Sequence, residues 1–437
     1  MLNIKIPVNF VAEREYVIKV ILHFILGVEY QVEVSDVNDY ELSIGDKMVI
    51  IRDHFWKKIK RGSSYVNIEF LPKVFFLHSC YCLDSKGIPV LYGNDEFVHA
   101  EDKIVCGVDI FASSFFMLTR WEEYRDISRK DMHGRVLGKY STAYRYKFLD
   151  RPIVNEYALL LLQLFKELGV SIPHKCTYQY VNTHDVDIIS SKNTLRLMAG
   201  DILKRRNVYS AIKRIQYLFN DPVNSFKFIS DINKRYGIIS HFFIMSIIKS
   251  TSKYDTKYYL SSRKFKGVYG EISVSNHIGF HPSYNSYLNK DKWSDEFSRV
   301  KPFLSHDIIE SRQHYLRIQL PNTIDILQSN GVGIDYSLGY HDMDGFRCGT
   351  GDLYPLFNCL THKMYNVFES PLIVMDSTIN CYRKLSVDGA RNVMCNYIDM
   401  AKRMGMRLTF LFHNSSFDDC EWSGWKDLYE YIIQYSI

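Results

Sequence analysis

The chain of 437 residues exceeds one ordinary core and suits two or three domains of roughly 100–200 residues each. Its 46% apolar and 24% charged residues are ordinary globular usage, which excludes a disordered chain, collagen and an isolated coiled coil. A net charge of +5, with no basic block longer than Lys57-Lys58-Ile59-Lys60-Arg61 or Lys204-Arg205-Arg206, argues against nucleic acid as a partner. The 15% of aromatic residues, including 32 Tyr, suit sugar-binding or interface surfaces as well as core. Met1-Leu2-Asn3-Ile4-Lys5-Ile6-Pro7 lacks the basic and apolar regions of a signal peptide. The early apolar stretch from Val17 to Val28, broken by Lys19 and His23, is too short to span a bilayer. The nine Cys are scattered, including Cys80 and Cys82, with no CxxC pair, so reduced thiols and a cytoplasmic location are expected.

Residues 1 to about 175 mix short strands with two helices. Strands are expected at Lys47–Ile51 and Val74–Leu77, and helices over Asp109–Tyr124 and Asn155–Leu168. Gly169-Val170-Ser171-Ile172-Pro173 is a turn-rich break, which divides the chain into residues 1–172 and 173–437. Beyond it strands and helices alternate. Strands are expected at Tyr178–Val181, Ile238–Ile247, Gly333–Tyr336 and Leu408–Phe412. Helices are expected at Thr194–Phe219, Ser225–Tyr236, Trp293–Leu304 and Val387–Met404. Such alternation implies an α/β fold with a parallel sheet or barrel, in which chemistry sits at the C-terminal ends of the strands.

That rule singles out three polar groups. In Thr183-His184-Asp185-Val186-Asp187, two carboxylates at i and i+2 project from one side of an extended segment. Like charges this close need a cation or a strong donor between them, although the pair also suits a solvated strand end or an Asx turn. In His277-Ile278-Gly279-Phe280-His281-Pro282, two imidazoles four residues apart can meet one ion. The Glu of HExxH is missing, and Pro282 moves His281 out of any helix interior. With an Asp from another strand end they make the two-imidazole, one-carboxylate set typical of hydrolytic zinc. His413 ends the apolar strand Leu408–Phe412, as either a functional or a packed histidine, and Arg312 and Asp335 complete the polar set.

In this order the motifs resemble those of the polysaccharide deacetylase family, also called the NodB-homology or carbohydrate esterase family 4 domain, over residues 176 to about 420. Thr183–Asp187 is similar to its first motif and His277–Pro282 to its second. Ser311-Arg312-Gln313-His314-Tyr315, Asp335-Tyr336-Ser337 and Leu411-Phe412-His413 resemble the remaining three. Val186 between the aspartates, and Gln313-His314 in the third motif, depart from the usual pattern. Gly345–Thr350 and Glu369-Ser370-Pro371 ahead of Met375-Asp376 resemble segments of a bacterial subgroup tied to surface-polysaccharide gene sets, whose accompanying domain residues 1–172 resemble.

The resemblance implies a distorted (β/α)7 barrel preceded by a smaller α/β domain. It further implies a metal-dependent hydrolase that removes acetyl groups, N-acetyl in first place, from a carbohydrate in surface-polysaccharide biosynthesis. Asp187, His277 and His281 would hold one divalent ion, zinc before cobalt or nickel. Asp185 would activate a metal-bound water, Arg312 would orient that base, His413 would protonate the leaving group, and Asp335 would complete the catalytic set. Hydrolysis of a cyclic amide or imide on the same barrel, or a catalytically silent carbohydrate-binding protein, are the alternatives.

Overall fold

Strand β1 (Leu2–Ile6) alternates buried Leu2, Ile4 and Ile6 with exposed Asn3 and Lys5, the pattern of a strand with one face on a core. The computed structural model describes all residues except 61, 79–85, 125–129, 191–193, 204–205, 207, 216–220, 222, 249–251, 257, 306 and 419. Cys80, Cys82, Arg61, Lys204 and Arg205, and the end of the helix expected to reach Phe219, therefore lie outside the described residues. Around β1 a six-stranded sheet forms with β2 (Tyr30–Val34), β3 (Tyr40–Ile44), β4 (Lys47–Ile51), β7 (Gly93–His99) and β8 (Lys103–Val108), in the order β2-β1-β3-β4-β8-β7. Strands β5 (Phe75–Leu77) and β6 (Ile88–Val90) pair separately.

The second sheet has nine strands. In chain order they are β9 (Gln179–Val186), β10 (Ser240–Ile244), β11 (His277–Phe280), β12 (Ile309–Ser311), β13 (Val332–Asp335), β14 (Tyr354–Asn358), β15 (Lys363–Glu369), β16 (Leu372–Met375) and β17 (Arg407–Leu411). Their order across the sheet is β14-β15-β13-β12-β11-β10-β9-β17-β16, and every pairing is parallel except β14 with β15. The sheet curls: β15 pairs with β13 on one side, and only Ser370 and Pro371 separate it from β16, which pairs with β17. The protein is thus a mixed α/β fold, with a curled nine-stranded sheet and a separate N-terminal sheet.

The helix Ile110–Thr119, buried at every position, lies between the two sheets. Tyr354 Oη donates to the Leu118 carbonyl at 3.0 Å and Tyr16 Oη to the Pro355 carbonyl at 2.9 Å, and one apolar core runs from the first sheet into the second. The helix stops five residues short of the expected Tyr124 because Arg120 takes a left-handed conformation (φ 52°). In place of one helix from Thr194, two short ones occupy Thr194–Leu203 and Val208–Lys213. No helix among the described residues is long and apolar enough to cross a membrane. Cys106, Cys348 and Cys359 are buried thiols.

Inside the curled sheet, alternate residues of neighbouring strands stack. Val181, Phe243 and Tyr336 form a small hydrophobic cluster of their own, flanked by Ile334. Gly279 makes room for it, since a Cβ there would meet Phe243 ring carbons at 2.7 Å and the Glu310 carbonyl at 3.0 Å. Gly279→Ala is therefore expected to destabilise the protein by about 1–3 kcal/mol, the usual cost of overpacking. Gly267→Ala, exposed on the helix Arg263–Ile272 with nothing within 4 Å of its would-be Cβ, should be neutral or stabilising by up to about 1 kcal/mol. Urea unfolding of the two variants side by side checks both signs.

Candidate active site

Because β9 to β12 and β17 run parallel, the residues at their C-terminal ends share one edge of the curled sheet. Strand β9 is longer than expected and carries Asp185 as its penultimate residue, with Asp187 just past its end. As i and i+2 neighbours the two carboxylates face the same side, while His184 faces the other. Burial pushes the His184 imidazole down to about 4, and its Nδ1 donates to the Phe412 carbonyl at 2.8 Å. His184 is a structural histidine.

Asp187 Oδ1 lies 3.2 Å from His281 Nε2 and 3.5 Å from His314 Nε2, and the three donor atoms all fall within 4.8 Å of one another. Each imidazole is aimed from behind. His281 Nδ1 lies 2.6 Å from the Arg312 carbonyl, which can only accept, so Nδ1 carries a proton and Nε2 is the ring nitrogen turned toward Asp187. His314 Nδ1 faces Asp255 Oδ1 at 3.3 Å. Asp187 Oδ1 and His281 Nε2 are buried, and neither completes a hydrogen bond. With His314 Nε2 beside these two orphaned atoms, two imidazoles and a carboxylate make a donor set that fits a divalent cation such as zinc. Burial disfavours the Asp187 carboxylate, but His314 and His281 outweigh it and hold its pKa below the usual range.

Asp185 and His413 flank this group. Asp185 Oδ1 accepts from Arg312 Nη1 at 3.0 Å, and Oδ2 lies 3.7 Å from His281 Nε2. His413 follows β17, and its Nε2 is 3.9 Å from Asp187 Oδ2. Asp376, just past β16, grips His413 twice, accepting from the backbone N–H at 2.6 Å and from Nδ1 at 2.7 Å. Burial opposes the imidazolium, yet Asp376 prevails with help from Asp187 and Asp185 and pushes its pKa up to about 10. With Nδ1 engaged by Asp376, Nε2 is the nitrogen left to face Asp187. Asp185, Asp187, His314 and His413 line one cavity of about 370 Å³, to which Arg135, from the N-terminal part, also contributes.

Arg312 is fully buried. Its Nη1 also donates to Thr183 Oγ1 at 2.8 Å and its Nε to the Tyr336 carbonyl at 3.0 Å, while its guanidinium carbon lies 4.8 Å from the Phe243 ring centroid. Its hydrogen bond to Oδ1 ties Asp185 to the centre of the sheet.

Two expected residues lie elsewhere. His277 and His281 do share a face of β11. Four extended residues span about 13 Å, however, so the two imidazoles sit at opposite ends of the strand and cannot meet one ion. His277 instead stands beside His241 and Glu310, and His314 occupies the place expected of it beside Asp187. Asp335 is buried at the end of β13, where it accepts from Ser311 Oγ and from the N–H and Oγ of Ser337, each at 3.0 Å. It ties the ends of two strands together and does not line the cavity.

His314 and Asp376 were legible only in part. His314 stands in the third motif, where the sequence assigns it no role, and it opens a short turn in which Tyr315 and Leu316 take left-handed conformations (φ 63° and 54°). Asp376 follows an apolar strand, Leu372–Met375, as a strand-end rule would have ranked it. Replacing Arg312 with Met leaves the buried Asp185 carboxylate without its cation, and stability should fall by about 3–5 kcal/mol. Adding Asp185→Asn should recover part of that loss, as read by chemical denaturation.

Residues 2–170 match the model of a family described as a family of unknown function (DUF7033). No curated protein matches the chain. Among solved structures, "Crystal structure of putative polysaccharide deacetylase from Mycobacterium smegmatis" is similar at 14% identity and a TM-score of 0.39, covering 60% of this chain and 86% of that one.

Proposed function

We propose that the protein is a metal-dependent hydrolase that removes an acetyl group, in first place N-acetyl, from a carbohydrate. Residues 173–437 would form the catalytic unit, a variant of the (β/α)7 barrel, and residues 1–172 an accessory unit that lends Arg135 to the mouth. The observation that carries this reading is what gathers at one cavity: a carboxylate held by a buried arginine, an imidazole held by a carboxylate, and between them a converging Asp–His–His set of which Asp187 and His314 line the wall. A base, an acid and a cation site together supply what one route of amide hydrolysis needs.

A divalent ion held by Asp187, His281 and His314, zinc before cobalt or nickel, would supply Lewis-acid polarisation of the acetyl carbonyl and lower the pKa of water. Asp185 accepts the proton of the attacking water at Oδ2, since Oδ1 is engaged by Arg312. His413 delivers the proton on Nε2 to the departing nitrogen, and Asp376 keeps the ring aligned while it does so. Tyr254, Tyr284 and Tyr315 lie edge to face or tilted within 5.4 Å of one another beside the mouth, and Trp422 lines it; such rings suit the apolar faces of sugars.

The test is acetate release from a panel of N-acetylated saccharides, with and without added zinc. A chain that binds saccharide and zinc but releases no acetate from any of them would leave the silent binding protein standing. Asp185→Asn should keep bound zinc while turnover falls roughly 10²–10⁴-fold, the usual contribution of one base. His281→Ala and His314→Ala should each lose that zinc. His413→Ala should slow N-deacetylation roughly 10²–10⁴-fold yet slow an activated phenyl acetate far less, because a phenoxide leaves without a proton. Equal losses on both substrates would remove His413 as the acid.

A further inference from the structure

The curled sheet has a second mouth at the N-terminal ends of its strands, where a cavity of about 730 Å³ is lined by His241, His277, Glu310, Tyr336 and Arg407 among others. Three adjacent parallel strands each place one ligating side chain there. His241 is the second residue of β10, His277 opens β11 directly opposite it, and Glu310 stands in the middle of β12. His241 Nδ1 is 2.7 Å from Glu310 Oε2 and His277 Nδ1 is 3.7 Å from Glu310 Oε1, and the donor atoms of all three lie within 4.8 Å of one another. Tyr336 Oη donates to Glu310 Oε1 at 3.0 Å and so fixes the carboxylate from outside the trio. The His241 and Glu310 side chains are 12% and 8% exposed, whereas His277, at 32%, faces the opening.

From this geometry we infer that His241, His277 and Glu310 form a second divalent-metal site, for zinc or a similar transition ion, at the mouth opposite the candidate active site. Two imidazoles and a carboxylate are a zinc donor set, and tetrahedral donors about 2.0–2.1 Å from an ion stand roughly 3.3 Å apart. His241, hydrogen-bonded to Glu310 Oε2 at 2.7 Å, and His277, 3.7 Å from Oε1, lie on either side of that spacing, so a small shift of the carboxylate would bring both imidazoles to an ion bound at one oxygen. An outer hydrogen bond orienting the carboxylate, here from Tyr336, is what a metal ligand usually has. The layer of Val181, Phe243 and Tyr336 separates this trio from Asp185 and Arg312, so the two sites cannot share one ion. An ion here would staple the starts of three parallel strands. Its protein ligands would leave a position on the cavity side for water or a small anionic ligand. The site does not depend on the hydrolase reading.

The experiment is equilibrium dialysis of the full-length protein against zinc, with bound metal counted by elemental analysis. The wild type should bind two zinc ions per chain, His277→Gln one and His281→Gln one, and the double variant none. Glu310→Gln, which keeps the size of the buried side chain, should reproduce the loss seen with His277→Gln and guards against a folding failure of either. Zinc should raise the melting temperature of His281→Gln but not of the double variant. Wild-type stoichiometry in both His277→Gln and Glu310→Gln overturns the proposal, as does complete loss of zinc in His281→Gln alone. Zinc lost with His277→Gln but unaffected by His281→Gln would keep this site and sink the cation site at the other mouth.

Discussion

Arg312 has no exposed surface, and a guanidinium in that position must have its charge matched at once or the fold cannot afford it. Its Nη1 and Nε meet that demand with Asp185, Thr183 and the Tyr336 carbonyl, Nη2 finds no hydrogen-bond partner among the described residues, and the guanidinium lies over Phe243. Its backbone does a second job. Arg312 N–H donates to the Phe280 carbonyl and its own carbonyl accepts from His281, so one residue sets the register of β12 against β11 and the tautomer of His281. Asp185, Arg312 and His281 are thereby built as a unit.

Period-two alternation around this arginine organises the whole interior of the curled sheet. Along β9, β10, β11 and β12 the inward residues run from one polar mouth, through Val181, Phe243 and Gly279, to the other. The apolar layer keeps two sets of ionisable groups apart. Were it wet, Glu310 and Asp185 would belong to one continuous channel, and neither imidazole cluster would have a defined partner. Gly279 is the concession that lets Phe243 fill the centre.

The N-terminal part is more than an attached unit. Arg120, fully buried, contacts Glu122, Glu123 and Tyr340 Oη, and Arg347 joins Glu123 from the other side, so a charge network crosses between the two sheets. Close by, Asp131 holds Arg135 at 2.8 Å, and Arg317 Nε donates to the His133 carbonyl at 2.7 Å. That clasp brings Arg135 to the cavity beside Asp185. A cation from residues far upstream thus shapes the mouth of a site whose other groups come from the second sheet.

How much of this was legible depends on the range of the information. Local signals read well: the helix Val387–Met404 with Ser386 and Gly405 as its caps, the helix ending at Gly237, and the strand-end positions of Asp185, Asp187, His281 and His413 all follow from spacing, capping and apolar runs. The sequence by itself also determined that His277 and His281 share a face, because four residues is an even number of strand steps. With a helix interior barred by Pro282, it left open where strand gives way to turn between them, and so whether the two imidazoles close on one ion or stand about 13 Å apart. Only the tertiary structure decided that, by pairing β11 with β10 along its whole length. The same holds for Asp335, whose strand end is turned into a hydrogen-bonded lock by Ser311 and Ser337, and for His314 and Asp376, which reach the site through turns and strand neighbours distant in sequence. Partner identity across a curled parallel sheet is set by crossover connections and register, and neither leaves a mark within the few residues of a motif.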